Sequence, residues 1–339
     1  MQHTILVTGG TGFIAGWCIV ELLKQGHSVR TTIRSPSKAA RVREAIAAEV
    51  DSGDRLTTCV AELTSDAGWD AATSGCEYVL HVASPLGTDN PKDPNELIVP
   101  ARDGSLRVLR AAIRAGAKRV VMTSSVAASS QRIDGPDSVN DETVWTDLEA
   151  GKLIPYRQSK TLAERAAWDL MKRERGSTEL TTILPSAVIG PILSRENLGS
   201  VQLVQRLLSG KMPGYPRLGF CIVDVRDVVA AHLLAMTSEH AAGERFIAAG
   251  EFMWLEDMSK LLRSRLGERA ARVPQRPLPN FALRLASLFD PSLRYVTPNL
   301  GRKHVFSSAK AQRVLGWKPR PAATTVIDCA QSLIARQVV

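Results

Sequence analysis

Short apolar runs alternate with helical stripes through the first half of the chain. Runs rich in β-branched and apolar residues at 4–8, 28–33, 56–61, 78–83, 119–123 and 180–184 read as strands. Between them, apolar positions recur at helical spacing over 12–25, 38–50, 95–115 and 156–175. This alternation predicts an α/β fold, a doubly wound parallel sheet with helices on both faces and right-handed crossovers. The rhythm changes after Pro185. Gly190-Pro191 interrupts the chain, a helical pattern covers 198–208, and Pro213-Gly214-Tyr215-Pro216 makes a turn-rich loop. A strand is expected at 219–223 and a helix at 224–236, with Asp224 as its N-cap. The stretch 265–301, rich in Pro, Arg and Leu, shows no clear period.

The first strand runs into Gly9-Gly10-Thr11-Gly12-Phe13-Ile14-Ala15-Gly16, and a helical pattern follows. Without a Cβ, Gly9 and Gly12 let the backbone turn tightly and approach a pyrophosphate closely. The helix N-terminus beyond offers free N–H groups and a positive dipole end. Strand, Gly-rich turn and helix in this order point to dinucleotide binding. The expected division is a Rossmann-type domain over 1–185 and a smaller C-terminal substrate lobe over 186–339. About 219–240 of the second part should return to pack on the first.

Tyr156 and Lys160 lie four residues apart at the start of a helical pattern, so they share one face. An ammonium beside a phenol favours phenolate and is expected to lower the Tyr pKa from its ordinary value of about 10. Such a phenol can exchange a proton with a carbonyl or alcohol near neutral pH.

The cofactor type follows from the end of the second strand. NAD-binding chains commonly place an acid there for the ribose 2′-OH. Here the strand ends in Arg34, with Lys38 and Arg41 beyond and no acid before Glu44. A guanidinium pairs well with a 2′-phosphate, which a carboxylate would repel. NADPH is the expected cofactor.

Composition removes other classes. The chain of 339 residues has a net charge of +9, which raises nucleic-acid binding. The basic residues are scattered, though, without a run of five, so no nucleic-acid partner is expected. No apolar run approaches the roughly 20 residues that span a bilayer, so no membrane partner is expected. The N-terminus enters a strand directly, which argues against a signal peptide. Cys18, Cys59, Cys76, Cys221 and Cys329 are an odd set without paired spacing and read as reduced thiols of a cytoplasmic protein. The His residues show no ligand spacing, so no metal is expected. The expected partner is a small-molecule carbonyl substrate, and the chain a monomer or homodimer.

The signatures Thr8-Gly9-x-x-Gly12-x-x-Ala15 and Tyr156-x-x-x-Lys160 together resemble those of the extended short-chain dehydrogenase/reductases. The segments His81-Val82-Ala83-Ser84-Pro85, Val121-Met122-Thr123-Ser124-Ser125 and Asp141-Glu142-Thr143-Val144-Trp145 resemble the group of dihydroflavonol reductases, cinnamoyl-CoA reductases and yeast aldehyde or ketone reductases. The likeness runs from Thr4 to Leu315-Gly316-Trp317-Lys318-Pro319. It implies a catalytic set of Ser125, Tyr156 and Lys160, with Ser125 as the last hydroxyl of its run and Ser124 structural. It implies cofactor contacts at Thr8, Gly9, Thr11, Gly12, Phe13 and Ile14, with Arg34, Lys38 and Arg41 at the 2′-phosphate. Glu62 and Leu63 stand where the adenine is met, and Val82, Ala83 and Ser84 follow the pyrophosphate and ribose. Pro185 and Ser186 back the nicotinamide, and Tyr156 and Lys160 also touch the cofactor. His81 is expected to be packed rather than catalytic.

Departures from the group narrow the substrate. Residues 99–106 lack the Asn that many extended relatives use as a proton relay. Residues 153–160 differ from the cinnamoyl-CoA reductase pattern, so thioester reduction is not expected. Ser130 stands where dihydroflavonol reductases carry an Asn. The substrate lining is expected to include Leu86, Val126, Ser130, Leu193 and Tyr215. The reading is NADPH-dependent reduction of an aldehyde or ketone, with Tyr156 as proton donor. Two alternatives remain on the same fold: an NAD-dependent nucleotide-sugar epimerase or dehydratase, and a non-catalytic nucleotide-sensing protein.

Overall fold

In β1 (Thr4–Val7), Ile5, Leu6 and Val7 have no exposed surface, as a central parallel strand requires. It is flanked in parallel by β2 (Ser28–Ile33) and β4 (Tyr78–His81). The sheet continues past β2 to β3 (Leu56–Val60), and past β4 to β5 (Arg119–Thr123), β7 (Glu179–Pro185) and β11 (Arg245–Ala248). The order is β11-β7-β5-β4-β1-β2-β3, seven strands in parallel. The computed structural model describes residues 1–339 except 1, 86–90, 92, 132–135, 150–152, 175, 197 and 290–296.

Successive strand residues point to opposite faces, and the core divides accordingly. Ile5, Val7, Leu80, Val121, Ile183 and Phe246 face one cluster. It is closed by α1 (Phe13–Lys24), α2 (Ala39–Ala47), α7 (Val225–Thr237) and α10 (Ala309–Leu315). Leu6, Val79, Val120, Met122 and Leu180 face another, closed by α3 (Trp69–Thr73), α4 (Asn95–Arg114) and α5 (Pro155–Arg173). The fold is thus the doubly wound, Rossmann-type sheet that the alternation predicts. β11 (four residues) and α3 (five residues, too short to show a helical period) were not expected.

Beyond Pro185, β8 (Ala187–Ile189), β10 (Gly219–Asp224) and β12 (Phe252–Trp254) form a separate three-stranded sheet. Its core is shared with α6 (Gln202–Leu208), α8 (Leu255–Leu266) and α11 (Ala322–Ala335) through Val204, Leu207, Met258, Leu262, Val326 and Leu333. Asp224 caps α7 as expected, its carboxylate accepting from Arg226 N at 2.9 Å. That helix packs against α1. The region 265–301 contains the end of α8, β13 (Pro277–Leu278), paired with β9 (Tyr215–Pro216), and α9 (Asn280–Phe289). The remaining pair is β6 (Ser138–Asn140) with β14 (His304–Phe306). Among the described residues, no helix is long and apolar enough to cross a membrane, and no His, Cys, Asp and Glu group could hold a metal ion.

Candidate active site

The turn after β1 is built for close backbone approach. Gly9 has φ +76, and a Cβ there would lie 3.0 Å from the Ala83 Cβ. A Cβ on Gly10 would stand 2.5 Å from Thr31 Oγ1, so this position, which the sequence reading passed over, is equally restricted to glycine. Gly12 leads into α1 with no side-chain cap, so the N–H groups of Phe13 and Ile14 have no acceptor inside the helix. Thr8 ties the turn to the strand beside it. Its Oγ1 accepts from Val82 N at 3.0 Å and Ala83 N at 2.9 Å, and meets His81 Nδ1 at 3.0 Å.

The His81 tautomer follows from its partners. Ser105 Oγ gives its proton to Ala101 O at 2.8 Å and therefore accepts from His81 Nε2 at 3.1 Å. Nδ1 is then the acceptor for Thr8. Burial, helped by the charge of Lys160, pushes the His81 pKa down to about 3. His81 is a neutral packing residue that holds the turn.

A cleft of about 520 Å³ opens beside the turn, lined among others by Gly10, Thr11, Gly12, Phe13, Arg41 and Leu193. Arg41 pairs there with Glu196, a partner with no sequence signal. Arg34 is exposed at the end of β2 and Lys38 half-buried in the following turn; neither lines this cleft. Glu62 is exposed, with its carboxylate accepting from Thr64 Oγ1 at 2.6 Å. Leu63 is pressed against α4, where a Cβ on Gly104 would come within 2.6 Å of it. Val82, Ala83 and Ser84 are half-buried beyond β4, Pro185 ends β7, and the Ser186 hydroxyl is buried without a partner among the described residues.

The Ser, Tyr and Lys converge. Pro155 opens α5 in the first helical position, where its missing N–H costs nothing. Tyr156 Oη donates to Ser125 Oγ at 3.3 Å, and Ser125 Oγ also accepts from Ala127 N at 3.1 Å. Lys160, one turn on, is 7% exposed. Burial lowers its pKa to about 8, with Glu164 pulling the other way. The Tyr156 phenol differs from the expectation. Burial raises its pKa, and the Ser125 hydrogen bond offsets this only in part. Desolvation of the phenolate outweighs the stabilisation inferred from helical spacing. Glu164 is a residue that the sequence reading missed: it takes the Ser124 hydroxyl at 2.5 Å.

On the substrate side, Val126 follows Ser125 in a short 3₁₀ turn, Val126–Ala128. Ser130 is buried, and its hydroxyl donates to Val126 O at 2.7 Å. Leu193 packs toward α1, where a Cβ on Gly16 would meet its Cδ1 at 2.9 Å. Tyr215 is buried in the core cluster shared by the three-stranded sheet, α6, α8 and α11. Leu86 lies outside the described residues.

Three features fit a bound dinucleotide: the glycine cradle, the Ser186 hydroxyl without a partner among the described residues, and Lys160, 7% exposed, whose ammonium makes no hydrogen bond or ion pair among them. Known proteins agree. The chain is 34% identical over 279 residues to an anthocyanidin reductase ((2S)-flavan-3-ol-forming) of Vitis vinifera, covering 78% of this chain and 81% of the relative. It is 38% identical over 251 residues to cinnamoyl-CoA reductase 1 of Arabidopsis thaliana, covering 72% and 70%. The crystal structure of yeast methylglyoxal/isovaleraldehyde reductase Gre2 complexed with NADPH matches with a TM-score of 0.81 at 25% identity, over 99% of this chain and 100% of that one. The model of the NAD dependent epimerase/dehydratase family matches residues 5–249, and the chain belongs to that family, in its extended short-chain dehydrogenase/reductase branch.

Proposed function

We propose that this NADP-dependent oxidoreductase reduces the carbonyl of a small aldehyde or ketone to an alcohol, with Tyr156 as the proton donor. The observation that carries the reading is the Tyr156–Ser125 contact at 3.3 Å, one helical turn from a buried lysine. Bound NADPH supplies the hydride. Ser125 Oγ accepts from both Tyr156 and Ala127 N, which leaves its own proton for a substrate oxygen. A hydroxyl so placed stabilises negative charge as it develops on that oxygen. Tyr156 then gives its proton to the same oxygen. A phenol held above its ordinary pKa stays protonated at neutral pH, which suits the reductive direction. The Lys160 ammonium compensates the phenolate left behind.

Arg34 and Arg41 are assigned to the 2′-phosphate, and the place of Arg41 beside the Gly-rich turn supports its part. A charge-assisted contact is worth about 1.5–3 kcal/mol. Arg41→Ala therefore raises the KM for NADPH by about 10- to 150-fold and changes that for NADH far less. Titration of both cofactors against wild type and variant measures this. Equal use of NADH and NADPH by the wild type would remove the assignment.

The substrate class is tested by comparing kcat/KM with NADPH across benzaldehydes, aliphatic diketones, 3-ketoesters, a dihydroflavonol and a cinnamoyl-CoA. Medium-sized, mainly apolar aldehydes or ketones should lead. A clear win for the thioester or the dihydroflavonol overturns the general carbonyl-reductase reading.

A further inference from the structure

One buried carboxylate sits behind the Ser–Tyr–Lys group: it bonds the chain neighbour of Ser125 and lies one turn of α5 beyond Lys160. Glu164 lies on α5 one turn after Lys160 and has no exposed surface. Its Oε2 accepts from the hydroxyl of Ser124, the chain neighbour of Ser125, at 2.5 Å. Its Oε1 accepts from Thr182 Oγ1 on β7 and Arg245 Nε on β11, both at 2.8 Å, and from Trp168 Nε1 at 3.3 Å. Arg245 Nη2 adds a longer contact to Oε2 at 3.4 Å.

Arg245 is held as firmly. It is 8% exposed, and its Nη1 donates to Glu142 O at 2.6 Å and Val144 O at 3.3 Å. Its guanidinium lies 3.6 Å from the centroid of the Trp145 ring. The Glu142 carboxylate in turn accepts from Ile247 N at 2.8 Å, so the loop is fastened back to β11. A buried ion pair costs several kcal/mol of desolvation per ion, and replacing it by apolar groups is often neutral or stabilising. Stability alone is thus a weak reason for the pair. A fully hydrogen-bonded network does hold its members in one arrangement.

We propose that Glu164, oriented by Arg245, is a positioning residue of the active site, whose single carboxylate sets the placement of Ser125 through Ser124 and of Lys160 through one turn of α5. The proposal rests on the catalytic reading of Ser125, Tyr156 and Lys160. Among the described residues, the ionisable groups around the Lys160 ammonium are these. His81 on β4 is neutral, the Tyr156 phenol is neutral, and Glu164 is the anion, with the Arg245 charge beyond it. Removing the carboxylate charge therefore moves the Lys160 titration to lower pH.

The test compares wild type, Glu164→Gln and the double variant Glu164→Gln with Arg245→Met. Three quantities are read: the thermal midpoint, the pH profile of kcat, and the titration of the Lys160 side chain by NMR of ¹³C-labelled lysine, assigned with Lys160→Arg. Glu164→Gln leaves Arg245 unpaired, so it lowers the thermal midpoint. It also lowers kcat by about 10- to 100-fold, the scale of displaced supporting groups, and moves the Lys160 midpoint and the alkaline limb of kcat to lower pH. The double variant removes both charges and regains thermal stability, yet keeps the lowered kcat and the moved limb. A double variant that regains kcat and the wild-type limb together with stability overturns the proposal, because the network then only holds the fold. A Lys160 midpoint that does not move in either variant overturns it as well. The titration needs no turnover. A wild type that reduces no carbonyl but shows the shift would therefore fail the catalytic reading and not the coupling of Glu164 to Lys160.

Discussion

Tyr156→Phe abolishes carbonyl reduction and leaves NADPH binding nearly intact. The substitution removes one oxygen, the one that donates to Ser125 at 3.3 Å, and keeps the ring in its place at the head of α5. The loss of a general acid typically costs on the order of 10²–10⁴ in rate. His81 is neutral, with both ring nitrogens engaged by Thr8 and Ser105. Ser125 is a hydrogen-bond donor with no base to reprotonate it. Single-turnover rates and NADPH titration of the variant check this. A variant that keeps more than about half of the wild-type rate would show that the proton comes from elsewhere, far outside the range expected for a lost acid.

What could be read from sequence depended on range. β1, β4 and β5 were legible because a strand buried on both faces is a largely continuous apolar run. β11 was not; it opens on Arg245, whose ion-pair partner among the described residues, Glu164, lies far away in the chain. The Gly-rich turn and the Tyr156–Lys160 pair are local patterns, and both stood out. Gly10 and Gly104 were overlooked because their constraints come from Thr31 and Leu63 on other elements. The Arg41–Glu196 pair had no local signal for the same reason. The direction of the Tyr156 pKa was misjudged for a physical reason. Spacing along a helix reports the neighbouring charge but says nothing of how far the phenol is removed from water.

Lys160→Ala lowers kcat and also raises the KM for NADPH, because one ammonium serves two partners. It is 7% exposed, lies one turn of α5 after Tyr156, and makes no hydrogen bond or ion pair among the described residues. It is also expected to meet the ribose of the nicotinamide half. An ammonium has three donors, so a ligand group can complete it. The pH profile separates Lys160 from its neighbours. With a pKa lowered to about 8, the ammonium is present below that pH and lost as pH rises through it. Reduction by the wild type should therefore fall along an alkaline limb near that value. The Tyr156 phenol, raised above its ordinary pKa, titrates later and does not set this limb. In Lys160→Ala the residual reduction is slower at every pH and the limb is gone, whereas Lys160→Arg keeps a charge that does not titrate in the accessible range. The checks are the kcat profile for reduction and NADPH titration of both variants. An unchanged cofactor affinity together with an unchanged alkaline limb in Lys160→Ala would make Lys160 a bystander and leave the phenol without its cation.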